Sequence, residues 1–235
     1  MTRPSVIIFG ATGAIGQALV AKFVAQGADV VAISRAVQPV VNPHVQSLQW
    51  IGTADVVALS VIAKGSVDAV VWAQGMNFSD DIYSFDLTKH QAMYEANVTY
   101  ILNSLQALMK SNCLAPAARL CVISSIWQNQ AKQNKMSYCI TKSALQGLVQ
   151  SLAVDLGHLG YMINAVLPGA LDTPMTRANL SAEQLAQLEA MTPLGSLANL
   201  EDVCNLVEFL CSKNNTGITG QFVAADRGFS NARII

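Results

Sequence analysis

Tyr138 and Lys142 stand four residues apart in Tyr138-Cys139-Ile140-Thr141-Lys142, and Ser125 lies thirteen residues before the tyrosine. Residues four apart on a helix share a face. A free phenol loses its proton near pH ~10, too high for ready exchange at neutrality. An ammonium one turn away favours the phenolate and lowers that value. The phenol can then protonate a carbonyl oxygen, or take the proton of an alcohol in the reverse direction. Ser125 follows the apolar run Arg119–Ser124, and its hydroxyl could hold the same oxygen as charge develops. Ser124 beside it is the competing candidate. A lone Tyr-x-x-x-Lys arises by accident in many helices. Its company gives it weight: the serine, Asn97 forty-one residues before the tyrosine, and a glycine-rich turn early in the chain.

That turn is Gly10-Ala11-Thr12-Gly13-Ala14-Ile15-Gly16. It follows the apolar run Ser5–Phe9, which reads as a buried strand, and opens the helical stripe Ile15–Gln26. Glycines let the backbone turn sharply and approach a pyrophosphate, and a helix N-terminus offers free N–H groups to it. The plain alternative is an ordinary tight strand–helix turn. An NAD site places Asp or Glu about twenty residues on, against the ribose 2′-hydroxyl. Here the second strand, Asp29–Ser34, leads into Arg35, and no carboxylate occurs from Val30 through Ala54. A guanidinium at that point can pair with a 2′-phosphate, and Ser34 can add a hydrogen bond. The reading is therefore NADP, with NAD the less favoured cofactor; otherwise Arg35 is simply a solvated loop residue.

The elements that must hold these residues alternate. Further strands are expected at Val45–Trp50, Val67–Ala73, Arg119–Ser124, Tyr161–Leu167 and Gln221–Ala225. Helices are expected at Asp55–Lys64, Leu87–Lys110, Met136–Gly157, Ser181–Met191 and Glu201–Lys213. Ser181 is placed as an N-cap, with Gln184 at the capping-box position. Such alternation implies an α/β fold, a doubly wound parallel sheet with helices on both faces. The 235 residues suit a single domain spanning 1–235. The chain is 52% hydrophobic and 12% charged, enough to bury a sheet on both sides. A net charge of −1 argues against nucleic acid and anionic membranes as partners. No apolar stretch approaches the ~18 residues of a membrane span. No signal peptide fits the N-terminus, and the five cysteines form no C-x-x-C pair, so a cytoplasmic protein with reduced thiols is expected. The three histidines have no ligand spacing, so no metal site is expected.

Together these residues resemble the short-chain dehydrogenase/reductase family, in its shorter one-domain branch, over nearly the whole chain. The resemblance implies a Ser–Tyr–Lys triad of Ser125, Tyr138 and Lys142. Asn97, in Glu95-Ala96-Asn97-Val98, matches the fourth catalytic residue, which holds a water in a proton relay past the lysine. It further implies that Lys142 bonds the nicotinamide ribose. Ala73, Gln74 and Gly75 fall in the cofactor-contacting stretch after the fourth strand. Pro168, Gly169 and Thr173 match the stretch at the nicotinamide end, and Ile218-Thr219-Gly220-Gln221 matches the entry to the last strand. Residues at about 175–197 match a mobile substrate lid. Departures are visible. The glycine spacing is closer to the longer, sugar-nucleotide-modifying branch, and Trp72-Ala73-Gln74-Gly75 stands where the family has Asn-Asn-Ala-Gly. The adenine-contacting Asp after the third strand is missing, with Asp55 the nearest carboxylate, and Asp226-Arg227-Gly228 replaces the terminal Asp-Gly-Gly.

The leading expectation is an oxidoreductase interconverting a small-molecule ketone and a secondary alcohol. A sugar-nucleotide epimerase or dehydratase and a non-catalytic nucleotide-binding protein are the alternatives. The loop Ile126–Lys135, polar with two lysines and no acid, suits a polar or anionic substrate or is merely solvated. Ala96–Met109 and Ser143–Val154 carry no charge, and Asn103, Ser104, Gln106, Gln146, Gln150 and Ser151 are read as their outward faces. Such depletion suits a subunit interface, and the resemblance implies a homodimer or homotetramer.

Overall fold

The computed structural model describes residues 3–36, 41–51, 62 and 66–231. Seven strands, β1 (Ser5–Phe9), β2 (Asp29–Ser34), β3 (Val45–Gln49), β4 (Val67–Trp72), β5 (Leu114–Ile123), β6 (Met162–Pro168) and β7 (Phe222–Ala225), form one sheet in the order β3-β2-β1-β4-β5-β6-β7. Every pairing is parallel. The strand order turns back between β1 and β4, so a crevice opens beyond their C-terminal ends, where such sheets bind ligands.

Side chains on a strand alternate between faces, and β1 shows the result. Ile7 and Phe9 enter one core with Trp72, Val98, Leu105, Leu145 and Val149, under α3 (Tyr100–Lys110) and α4 (Met136–Gly157). Val6 and Ile8 enter the other with Leu19, Val203 and Val207, under α1 (Ala14–Ala25) and α7 (Leu200–Cys211). Near-continuous apolar strands are what a sheet covered on both faces requires.

The long helix expected from Leu87 to Lys110 is three pieces in line. They are α2 (Leu87–Tyr94), a π turn (Glu95–Thr99) and α3. The expected Met136–Gly157 helix is present with those ends, and α6 (Ala182–Ala190) carries the capping box of Ser181 and Gln184. A short helix, α5 (Pro174–Asn179), was not expected; six residues leave too little room for a periodic stripe. β5 begins at Leu114 rather than Arg119, with a register shift opposite β4 between Val67 and Ala69 and Ala117 at φ 57°. That irregular start erases the alternation a strand would display in sequence. The expected helix at Asp55–Lys64, with Asp55 itself, lies outside the described residues.

One outward assignment is corrected. Ser104 is fully buried, and the Trp72 indole donates to its hydroxyl at 2.7 Å. Trp72 stacks on Phe9 (centroids 5.9 Å apart, planes 3° apart), and Phe9 meets Trp50 and Tyr100 edge-on or tilted. Trp72, where the family has an asparagine, therefore joins an aromatic cluster, and Ser104 satisfies its one polar atom.

Candidate active site

The glycine turn divides its tasks by position. Gly10 has φ +74°, and a Cβ there would lie 2.5 Å from the Gln74 nitrogen. A Cβ on Gly16 would lie 2.1 Å from the Gly10 oxygen. Both glycines are thus needed for backbone to meet backbone. At Gly13 the nearest atom to such a Cβ would be the Gly10 oxygen at 3.5 Å, so the space above it is open. Gly13 is also the N-cap of α1 and supplies no side-chain cap, which leaves the first N–H groups of that helix to a ligand or solvent. Thr12 and Ala14 are exposed at this rim, whereas Ile15 packs into the core and Gly16 is buried.

A cleft of about 320 Å³ lies over this turn. Its walls include Gly10, Thr12, Gly13, Ser34, Arg35, Ala73, Gln74 and Gly75, all expected from sequence, together with Met76, Ala96 and Tyr100, which were not. Both ends of the Gln74 side-chain amide are buried without a protein partner. Buried polar atoms left so are costly, and a polar ligand in the cleft would satisfy them. The open Gly13, the uncapped helix and the orphaned amide fit a dinucleotide. Arg35 is exposed at the rim, and no ion pair ties its side chain among the described residues. The Ser34 hydroxyl is already committed, donating to the Ala36 carbonyl. A larger hollow of about 490 Å³ sits by the N-terminal ends of β1, β4 and β5, beside Arg3, Phe23 and Cys211, and holds none of the expected site residues.

Lys142, fully enclosed, donates from Nζ to the Ile123 carbonyl at 3.0 Å. Burial pushes its ammonium down to about 8. The same nitrogen lies 5.7 Å from the Tyr138 ring centroid and 3.9 Å from where a Gly75 Cβ would be, so the lysine adjoins the end of the cleft. Burial also raises the Tyr138 phenol above its ordinary value, against a hydrogen bond from Ser125 that lowers it. The expected lowering by the lysine is not seen: desolvation by burial is the largest influence on the phenol, and the opposing one comes from Ser125 rather than Lys142. Ser125, not Ser124, faces the phenol: the Ser124 hydroxyl donates to Gln128 Oε1 at 2.8 Å.

Asn97 sits in the π turn, and π turns recur where a helix is bent to serve a site. Its side chain clamps the segment after β4, accepting from Met76 N at 2.7 Å and donating to Met76 O at 3.0 Å. It also donates to Thr141 Oγ1 at 2.9 Å, one residue before the lysine. Pro168, Gly169 and Thr173 do not line the cleft. Pro168 is buried at the end of β6, a Gly169 Cβ would meet Asp226 at 2.8 Å, and Thr173 caps α5.

Tyr100 is the one aromatic among the three cleft residues that sequence reasoning missed. Its ring meets Trp50 edge-on at 4.7 Å, while its hydroxyl lies in the field of Arg35. It lies inside the helical stretch expected from Leu87 to Lys110, and nothing in that pattern singles it out.

Comparison with known proteins gives a consistent neighbourhood. The family model described as Enoyl-(Acyl carrier protein) reductase matches residues 10–230. The 3-oxoacyl-[acyl-carrier-protein] reductase FabG of Escherichia coli is 26% identical over 94% of this chain and 95% of its own. The 3alpha-hydroxysteroid dehydrogenase of Mediterraneibacter gnavus is 30% identical, covering 94% of each chain. Among solved structures, a short-chain dehydrogenase/reductase family oxidoreductase from Burkholderia thailandensis superposes with a TM-score of 0.87 at 27% identity, over 99% of this chain and 95% of that one.

Proposed function

The chain belongs to the short-chain dehydrogenase/reductase family and is an NAD(P)-dependent oxidoreductase acting on CH–OH/C=O groups; from that premise we propose that it uses NADP(H) and that Tyr138 is its acid/base. The observation that carries this reading is the buried Tyr138 phenol, hydrogen-bonded by Ser125 and backed by Lys142 at the end of the Gln74 cleft. When bound, the nicotinamide would supply or accept the hydride. Tyr138 then gives its proton to the carbonyl oxygen, and a phenol held protonated by burial suits the reductive direction. Ser125 steadies the same oxygen. Lys142 compensates the negative charge left on the phenol and, by resemblance, holds the nicotinamide ribose. Asn97 ties the segment after β4 to the lysine's helix.

At the adenosine end, Arg35 meets a 2′-phosphate as a charge-assisted pair, and the sequence from Val30 through Ala54 offers no carboxylate to read a free 2′-hydroxyl. The substrate is a small carbonyl compound or its alcohol. The printed activities of the relatives, on 3-oxoacyl carriers and hydroxysteroids, define the first panel to try. The residues at about 175–197 act as the lid over it. Tyr138→Phe is the test. It should lower turnover by about 10²–10⁴-fold and leave NADPH binding within a few-fold. A variant that kept more than about a tenth of wild-type activity would remove Tyr138 from the role.

A further inference from the structure

Among the described residues the mechanism above leaves two buried carboxylates unused: Asp226, whose oxygens accept from Gly228 N and Ser230 N, and Asp80. Asp80 is 4% exposed, one of its oxygens has no protein partner, and it lies next to the start of the catalytic helix. α4 begins without a side-chain cap of its own, since Lys135 at the N-cap supplies none. Asp80 supplies the cap from fifty-five residues upstream. Its backbone carbonyl accepts from Met136 N at 3.3 Å, and its Oδ1 accepts from Ser137 N at 3.0 Å. Those are the two residues immediately before Tyr138. The joint is tied further by Asp80 N donating to the Asn134 carbonyl at 3.2 Å and by His90 Nδ1 against the Ser137 hydroxyl at 2.8 Å. Lys135 Nζ adds bonds to Asn77 Oδ1 at 2.9 Å and the Phe78 carbonyl at 3.2 Å.

Resting on the reading of Tyr138 as acid/base, we propose that Asp80 is a positioning residue that fixes the first turn of α4 and so holds the phenol in line with Ser125 and Lys142. Tyr138 is in the first turn of its helix, where fraying would otherwise be greatest. A fixed acceptor on Ser137 N removes that freedom, and a displacement of about 1 Å in such a group can cost ~10²-fold in rate. The element doing this is the segment after β4, the same one Asn97 clamps through Met76. The cofactor-side loop and the acid/base are therefore joined through one short stretch of chain.

The test compares Asp80→Asn, Asp80→Glu and Asp80→Ala with wild type and Tyr138→Phe. The substrate is whichever ketone, from a panel of 3-oxoacyl thioesters, ketosteroids and ketoses, the wild type reduces. Asparagine keeps an acceptor at the same reach without the charge; glutamate keeps the charge but is one methylene longer in an enclosed site. The expected result is kcat within about threefold of wild type for Asn and a fall of about 10- to 100-fold for Glu and Ala, with NADPH Kd by fluorescence titration within about twofold throughout. Turnover is normalised to sites counted by that titration. Equal kcat in wild type and Asp80→Glu would overturn the proposal, and so would an Asn variant as impaired as Glu. If Ala does not fold, the Asn–Glu pair decides alone. Failure of the underlying reading looks different: Tyr138→Phe would then remain active, whatever Asp80 does.

Discussion

Lys142 sets two pH dependences. Burial pushes its ammonium down to about 8, whereas in the unfolded chain it returns to about 10.4. Between those values the unfolded chain binds the extra proton, so this group's contribution makes stability rise with pH from about 8 to about 10.4. Below about 8 the penalty for enclosing the charge is present in full. Lys142→Met should therefore raise the calorimetric Tm at neutral pH, with the gain shrinking towards zero as pH passes through that window. In the wild type, deprotonation above about pH 8 removes the charge behind the phenol, so kcat/KM for reduction should decline there. At the other end of the cleft, wild type should favour NADPH over NADH by about ten- to a hundredfold, from a charged hydrogen bond of ~1.5–3 kcal/mol. Arg35→Asp should reverse that ratio of kcat/KM; an unchanged ratio would mean that the guanidinium points to solvent.

At the scale of elements, two glycines of one turn separate folding from binding. Gly16→Ala drives a methyl into the Gly10 carbonyl and should cost on the order of 2 kcal/mol or more in urea unfolding. Gly13→Ala has room, has an ordinary φ of −73° and should leave stability nearly unchanged while weakening NADPH binding. The turn itself was readable because glycine spacing after an apolar strand is a local signal, and so were the ends of β1, β2 and α4. The π turn was not: a run of apolar residues has the same period whether or not one turn is widened, so Asn97 came from resemblance rather than pattern. Ser104 was misassigned because a serine on a helix reads as outward unless its partner is known, and that partner, Trp72, is 32 residues away. Asp80 went unnoticed for the same reason, since the helix it caps starts 56 positions later.

For the whole molecule, we propose that α3 and α4 form the contact between copies. Gln106, Gln146, Gln150 and Ser151 are exposed there, with Leu102 also 45% exposed between them. Light scattering should give two or four times the 25.0 kDa chain mass, and Gln146→Lys with Gln150→Lys should shift it towards one. A wild-type mass of a single chain at micromolar concentration would rule the contact out. The aromatic cluster has a further consequence. Trp50 and Trp72 adjoin the Arg35 half of the cleft, through Tyr100 and through Ala73-Gln74, and Trp127 follows Ser125 at the other half. These are all the tryptophans in the chain. Indole emission overlaps the absorption of a reduced nicotinamide, so ultraviolet excitation makes the protein its own optical gauge of occupancy. Trp127→Phe would silence the lamp at the Ser125 end and leave those at the Arg35 end lit, allowing the two halves of the cleft to be watched filling separately without any label.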